Sequence, residues 1–446
     1  MKNILLTTLA MATALHAADS WSGLGKPTAY QNGAVYSITN YKGDLYVTGF
    51  FDSTKFNAVS PPASLYTRRV VRWNGTEFSA VGAGVKSAYE MFASYVYKDE
   101  LYVGGDRLDS AGSVKITNNV ARWNGTDWNS VGTDAADIGM VYTFCEYKGD
   151  LYVGGKLGLN KWNGTAWTNL AISKQAMSVF AMKIYKDELY VGGSFTTLGT
   201  TKANNLVKFD GTTWSAVADG VIFNQEITPD FILNKCRVAA LEVFDGDLYI
   251  GGDIDSAGAM KANNLVRWNG KAFAEVSGGV NSSIRALQAH GANLYVAGYF
   301  WKSGTAAINT DRASVWNGKD WKELGSLASG GNALAVLKDT LYGLGRFDLL
   351  RWSGNIGAGT TALNASTGPD AAMNLRYDRI HGNLILNTPD FHNASATVYG
   401  LDGRLLYSEN LMAEFTALRI GFLTKGKYFL VVKSRTETTT HTFLKY

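Results

Sequence analysis

Apolar residues recur along most of this chain in short runs broken by polar pairs, and the runs come in sets of four. The set from Arg237 to Gly279 is the clearest. "VAALEVF" ends at Asp245-Gly246, and "DLYIGG" follows. A longer polar stretch then precedes "NNLVRW", and Asn269-Gly270 leads into "AFAEVSG". Short runs rich in β-branched and aromatic residues, bounded by Gly, Asn and Asp, read as strands. Asp-Gly and Asn-Gly between such runs predict hairpins in which both turn residues take positive φ. Each set therefore predicts one four-stranded antiparallel sheet.

The second run carries a Leu-Tyr pair that returns seven times, with its tyrosine at Tyr46, Tyr102, Tyr152, Tyr190, Tyr249, Tyr295 and Tyr342. The third run ends each time in an aromatic residue: Trp73, Trp123, Trp162, Phe209, Trp268, Trp316 and Trp352. A period of roughly 40 to 60 residues is that of propeller blades, small sheets that bury their faces only by stacking on one another. The repeated aromatics are expected to fill the spaces between blades, and the Gly pairs to allow close backbone approach near the centre. The seventh set stops at "RWSG" (Arg351 to Gly354) without a fourth run, and a matching run, "WSGLG", stands at Trp21 to Gly25. The N-terminal strand is expected to complete the last blade and remove an exposed sheet edge. The fold class that follows is all-β: a seven-bladed β-propeller over residues 19–358, then a small C-terminal β-sandwich over residues 374–446, joined by a Gly/Ala/Thr-rich linker at 359–373.

Composition narrows the setting. A net charge of +4 over 446 residues, with no basic block, excludes a surface that tracks nucleic-acid phosphates. Residues 1–18 place Lys2 before an apolar run and small residues at Ala17 and Ala18, the layout of a secretory signal peptide. No later run is long enough to predict a transmembrane segment. The two cysteines, Cys145 and Cys236, fall a whole repeat apart, so both are expected to be unpaired, buried thiols.

Strand, Gly-Gly, then a downstream Trp resembles the kelch and galactose-oxidase type of propeller. The fuller spelling "LYVGG…ANNLVRWNG…W…VG" resembles repeats of exported bacterial propellers and of the Rax2-like cortical marker proteins. In the tail, "VYGLDGRLLY" with Leu401, Asp402, Gly403 and Arg404, and "LTKGKYFLVVKS" with Gly426 and Tyr428, resemble the C-terminal sorting domain of the type IX secretion system. That resemblance implies the type IX machinery as a partner, and a location outside the cell or on the outer-membrane surface of a Gram-negative bacterium.

Catalytic chemistry is sparse. A copper-radical site would need two histidines on the metal, and the propeller region holds only His290. That residue alone supports neither a metal site nor a Ser-His-Asp set. The acids of "GGDRLDSAG" (Asp106, Asp109) and "GGDIDSAG" (Asp253, Asp255) read mainly as turn formers, with Ca²⁺ or acid/base roles as alternatives. No catalytic residue, metal or cofactor is assigned. The long, variable connections fall at one end of the predicted ring. The candidate ligand-face residues there are Phe51, Tyr66, Arg68, Arg69, Arg107, Trp301 and Lys302, aromatics beside cations that suit a sugar ring or a protein partner. The expectation is a non-enzymatic exported propeller that binds an extracellular polysaccharide or a surface protein. The alternatives are a glycan-active hydrolase or lyase, with acids or a Tyr/Arg pair at the ring's centre, and a purely structural surface protein.

Overall fold

The computed structural model describes residues 20–28, 34–55, 64–132, 138–171, 178–223, 238–327, 330–345, 349–354, 356, 374–378, 383–387, 394–399, 404–411, 415–420, 423, 426–433 and 438–445. Every regular element among them is a strand. The expected signal peptide and linker, Cys236, and Leu401, Asp402 and Gly403 of the sorting motif lie outside the described residues.

Six consecutive antiparallel sheets each run inner, second, third and outer strand in chain order. Their inner strands are Ala34–Tyr41, Met91–Tyr97, Val141–Tyr147, Ser178–Tyr185, Val238–Phe244 and Ile284–His290. A seventh sheet begins with Ala333–Leu337, continues through Thr340–Leu344 and Leu349–Trp352, and takes Trp21–Thr28 as its fourth strand, with Trp21 paired to Trp352. Each inner strand packs against the next, and the last packs back against the first. The hydrophobic clusters follow the same order, one between each neighbouring pair, including one that joins Val35, Leu45 and Val47 to Leu337, Tyr342 and Leu344. The arrangement is a propeller, since among the described residues each sheet packs face to face on the next.

The repeated phrase "YKDELY" serves this stacking. Tyr41, Tyr97, Tyr147 and Tyr185 donate their hydroxyls to carbonyls in the following sheet's first turn, those of Asp99, Gly149, Asp187 and Gly246, at 2.7–3.1 Å. The lysine after the tyrosine lies over that ring, 4.9 Å away for Lys42 and 5.0 Å for Lys186. Lys42, Lys148 and Lys186 donate to the carbonyls of Asn124, Asp210 and Asn269. The acid before Leu-Tyr pairs across the sheet with a third-strand cation, as Glu100 does with Arg122 at 2.7 Å and Glu188 with Lys208 at 2.9 Å. Such half-exposed pairs contribute about 1 kcal/mol or less, against about 1.5–3 kcal/mol for each buried apolar side chain. They set register, while the inter-sheet clusters supply most of the stability. Outer-strand tryptophans bridge neighbours too: Trp128, Trp167 and Trp321 donate Nε1 to Val81, Val131 and Val276. Trp21 does the same to Leu324 at 2.7 Å, the role of an outer-strand tryptophan of the seventh sheet. Burial of the Leu-Tyr column pushes the phenols of Tyr102, Tyr152 and Tyr190 up to about 12.

One turn expectation needs correcting. The first turns do place both central residues at positive φ, as at Lys98 and Asp99 or Asp245 and Gly246. In the Asn-Gly turns only the glycine does so, Gly270 at 98° for instance. The asparagine acts through its side chain instead, with Asn269 Oδ1 accepting from the N–H groups of Lys271 and Ala272. Four residues close this loop, so an Asx-type cap replaces the two-residue turn.

Cys145 is free and buried, and burial pushes its thiol up to about 12. In the tail, a three-stranded sheet and a four-stranded sheet share one cluster, in which Leu418 of the first meets Ala396, Val398, Leu430 and Val432 of the second. Tyr428 lies in that cluster, Gly426 opens the strand Gly426–Lys433, and Arg404 is exposed just before Leu405–Leu411. No helix among the described residues is long and apolar enough to cross a membrane.

Candidate functional site

Six inner strands share an irregularity near their start. In the first sheet Val35 pairs with Gly49 and Ser37 with Thr48, which leaves Tyr36 as an extra residue. The same β-bulge falls at Phe92, Tyr142, Phe180, Ala239 and Arg285. A bulge re-aims the side chain it carries, and bulges gather beside binding sites. The Gly pair of the facing strand makes room for it: a Cβ on Gly193 would collide with the Ser178 carbonyl, and one on Gly105 with that of Glu90. In the seventh sheet Asn332 holds the corresponding place, three residues before the partner of Tyr342, as Phe92 stands three before the partner of Tyr102.

These seven residues line one central cavity of about 480 Å³, together with Ser37, Ala93, Ser94, Thr143, Phe144 and Tyr299. Its two sides differ. Tyr36, Phe92, Tyr142 and Phe180 form an arc of tilted rings with successive centroids 5.1, 5.2 and 5.0 Å apart. Ala239 then leaves a gap. Beyond it the Arg285 guanidinium lies over the Tyr299 ring at 5.2 Å, and the Tyr299 hydroxyl stands 3.5 Å from Asn332 Oδ1. Below the arc Ser37 and Ser94 share a hydrogen bond of 2.8 Å between hydroxyls, and Thr39 donates to the Ser94 carbonyl at 2.9 Å. Arg285 Nε is buried and has no hydrogen-bond partner among the described residues. Aromatic faces, hydroxyls and one cation around a concave space make a site for a polar molecule with flat apolar faces.

The cavity lies at the end of the ring where the long second-to-third connections begin, because the bulges pair with the ends of the second strands. The residues expected to form a ligand face divide there. Phe51 is fully buried in the cluster between the first and seventh sheets, so it is a packing residue and cannot reach a ligand. Arg69 is buried as well, paired with Asp52 at 3.0 Å and donating to the carbonyls of Tyr89 and Ser87. It ties the first sheet to the loop entering the second. Tyr66 is exposed, with Arg68 over its ring at 5.1 Å, and Arg107 lies over Tyr89 at 4.9 Å. Trp301 is 56% exposed two residues beyond Tyr299, and Lys302 is exposed next to it. Among the described residues no three His, Cys, Asp or Glu side chains gather as metal ligands. Asp106 is buried, and Asp253 accepts from Ser283.

Sequence reasoning passed over the bulge column, although a signal is present. Each of these residues stands ten positions before a repeated tyrosine, from Tyr36 before Tyr46 to Asn332 before Tyr342. Read in order that column is Tyr, Phe, Tyr, Phe, Ala, Arg, Asn, whereas the repeated tyrosine and the leucine before it are the same in all seven sets.

No protein-family model and no curated protein sequence matches the chain. Among solved structures it is similar to the extracellular domain of BT4673, assigned as a one-component system, from B. thetaiotaomicron (13% identity, TM-score 0.46), covering 95% of this chain and 57% of that one. It is also similar to PorZ, a surface component of the type IX secretion system of Porphyromonas gingivalis (13%, TM-score 0.45), over 94% of this chain and 60% of that one. A third is the WD40 β-propeller domain of Doa1 (12%, TM-score 0.45), over 75% and 96% of the two chains. The chain thus spans under two thirds of the first two.

Proposed function

We propose that this protein is an exported glycan-binding propeller, with its ligand in the central cavity rather than on the long loops alone. In this reading residues 19–358 form seven kelch-like blades, the last completed by the N-terminal strand. Residues 374–446 form a sandwich that the type IX machinery recognises, after entry by the N-terminal signal, and the protein works at or beyond the outer-membrane surface. The observation that carries the binding reading is the arc from Tyr36 to Phe180, interleaved with the hydroxyls of Ser37, Ser94 and Thr143. Sugar rings have apolar faces that stack on aromatics and equatorial hydroxyls that need partners, and such a wall offers both.

The test is retention of the full chain on a panel of soluble and insoluble polysaccharides, with Phe92→Ala, Tyr142→Ala and Trp301→Ala beside wild type. Retention on one polymer, lost at least tenfold in the two arc variants, is the expected result. Loss in Trp301→Ala alone would move the site to the loops, and no retention on any polymer would overturn the reading. The enzymatic alternative has one favouring observation, the Arg285–Tyr299 pair at the ring's centre. A lyase acting there would generate an unsaturated product detectable by ultraviolet absorbance, and turnover in the same panel would favour it.

A further inference from the structure

We infer that the cavity selects an acidic sugar: a ring stacked on the aromatic arc while its carboxylate is held by Arg285. This rests on the glycan-binding reading and adds the ligand's charge to it. Among the described lining residues Arg285 is the one permanently charged side chain, and no Asp or Glu lines the cavity. An arginine in such a wall needs a reason. The known partner of its guanidinium is a ring face, that of Tyr299, which offers attraction but no hydrogen-bond acceptor. Its Nε–H is buried without an acceptor among the described residues, a condition native proteins seldom leave unanswered. A planar carboxylate meets a guanidinium fork with two parallel charge-assisted hydrogen bonds, and one negative charge matches one cation.

The bulge column explains the spacing. Ala239 sits between Phe180, where the arc ends, and Arg285. An aromatic residue there would extend the arc up to the guanidinium. The small side chain leaves room for a group projecting from a stacked ring to reach it. Asn332 and Tyr299 line the same cavity as the cation, and the Tyr299 oxygen, its proton directed at Asn332 Oδ1, can accept from the hydroxyl next to a sugar carboxylate. A peptide with a free carboxylate would satisfy Arg285, but a sugar ring also brings hydroxyls to the wall where Ser37, Ser94 and Thr143 lie.

The experiment is calorimetric titration of the full chain with oligosaccharides containing glucuronic or galacturonic acid, each against its carboxyl-reduced neutral counterpart and a sulfated form of that counterpart. The expected result is an acidic oligosaccharide bound at least tenfold more tightly than its reduced partner. Arg285→Gln should erase that preference, so that acidic and reduced forms bind this variant with equal affinity. Arg285→Lys, which keeps charge but loses the fork, should retain only part of it, and melting temperatures of both variants should match wild type. Equal binding of acidic and reduced forms would overturn this inference and leave glycan binding intact. Tighter binding of the sulfated form would overturn the carboxylate assignment. Absence of binding to any of them, joined to no retention on the polysaccharide panel, would overturn the parent reading.

Discussion

The two ends of the ring are built on opposite plans. At the end of the first turns the chain writes nearly the same letters in sheet after sheet, and in the first four sheets the copies make the same tyrosine contact. A tyrosine hydroxyl donates to the next sheet's turn, and a lysine folds over that tyrosine toward the carbonyl beyond. At the other end a fixed backbone device, the inner-strand bulge, presents four kinds of side chain across six sheets. Repetition here marks docking that neighbouring sheets share. Variation on constant geometry marks positions released from docking, and these line the cavity. The loops above the cavity vary as well, but part of that variation is packing, as Phe51 and Arg69 demonstrate.

A large effect should come from breaking the docking plan at the seam. Trp21 stacks on Trp352 with centroids 5.3 Å apart and donates to the Leu324 carbonyl. Trp21→Ala removes a large aromatic and a hydrogen bond at once, and should cost about 3 kcal/mol in a chemical denaturation experiment. A loss near zero would mean that the N-terminal strand is dispensable to the seventh sheet. Next comes the bulge itself. Gly193→Ala forces a methyl against the Ser178 carbonyl ahead of the Phe180 bulge. The backbone must shift, at a cost of about 1–3 kcal/mol, and ligand affinity should fall with it because Phe180 is re-aimed. Retained affinity in this variant would detach the bulge from the site.

Most of the docking plan was legible in the sequence, and the reason is its redundancy. Strand boundaries, the aromatic columns and the match of "WSGLG" to a missing fourth run were each written several times, so a single irregular copy such as Phe209 did no harm. The turns were half legible: Asp-Gly and Asn-Gly look alike as letters, but only the structure shows the Asn side chain closing a four-residue loop. The cavity was missed for the converse reason. A bulge residue interrupts the two-residue period of its strand, so Tyr36 or Phe180 reads as one more apolar residue of an inner run. Arg285 reads as a charge out of pattern. Loop aromatics drew attention because they stand apart in the sequence, yet Phe51 stands apart only as a letter, and in space it belongs to the core.

The smallest stability effect carries the sharpest test of the comparison. Phe180 and Phe195 belong to the same sheet region, one at the bulge and one in the cluster between the third and fourth sheets. Phe195 is buried, so Phe195→Ala should cost about 3–5 kcal/mol. Phe180 is only half-buried and lines the cavity, with the Tyr142 ring 5.0 Å away as its aromatic neighbour. Phe180→Ala should therefore cost about 1 kcal/mol or less, the value of one partly exposed aromatic pair. Affinity for the retained polysaccharide should nevertheless drop tenfold or more. Denaturation midpoints and binding isotherms on the two variants separate the plans, because a docking residue moves the first and a cavity residue the second. If Phe180→Ala destabilised the fold as much as Phe195→Ala, the bulge column would be a further layer of core, and its variation would need an explanation in packing.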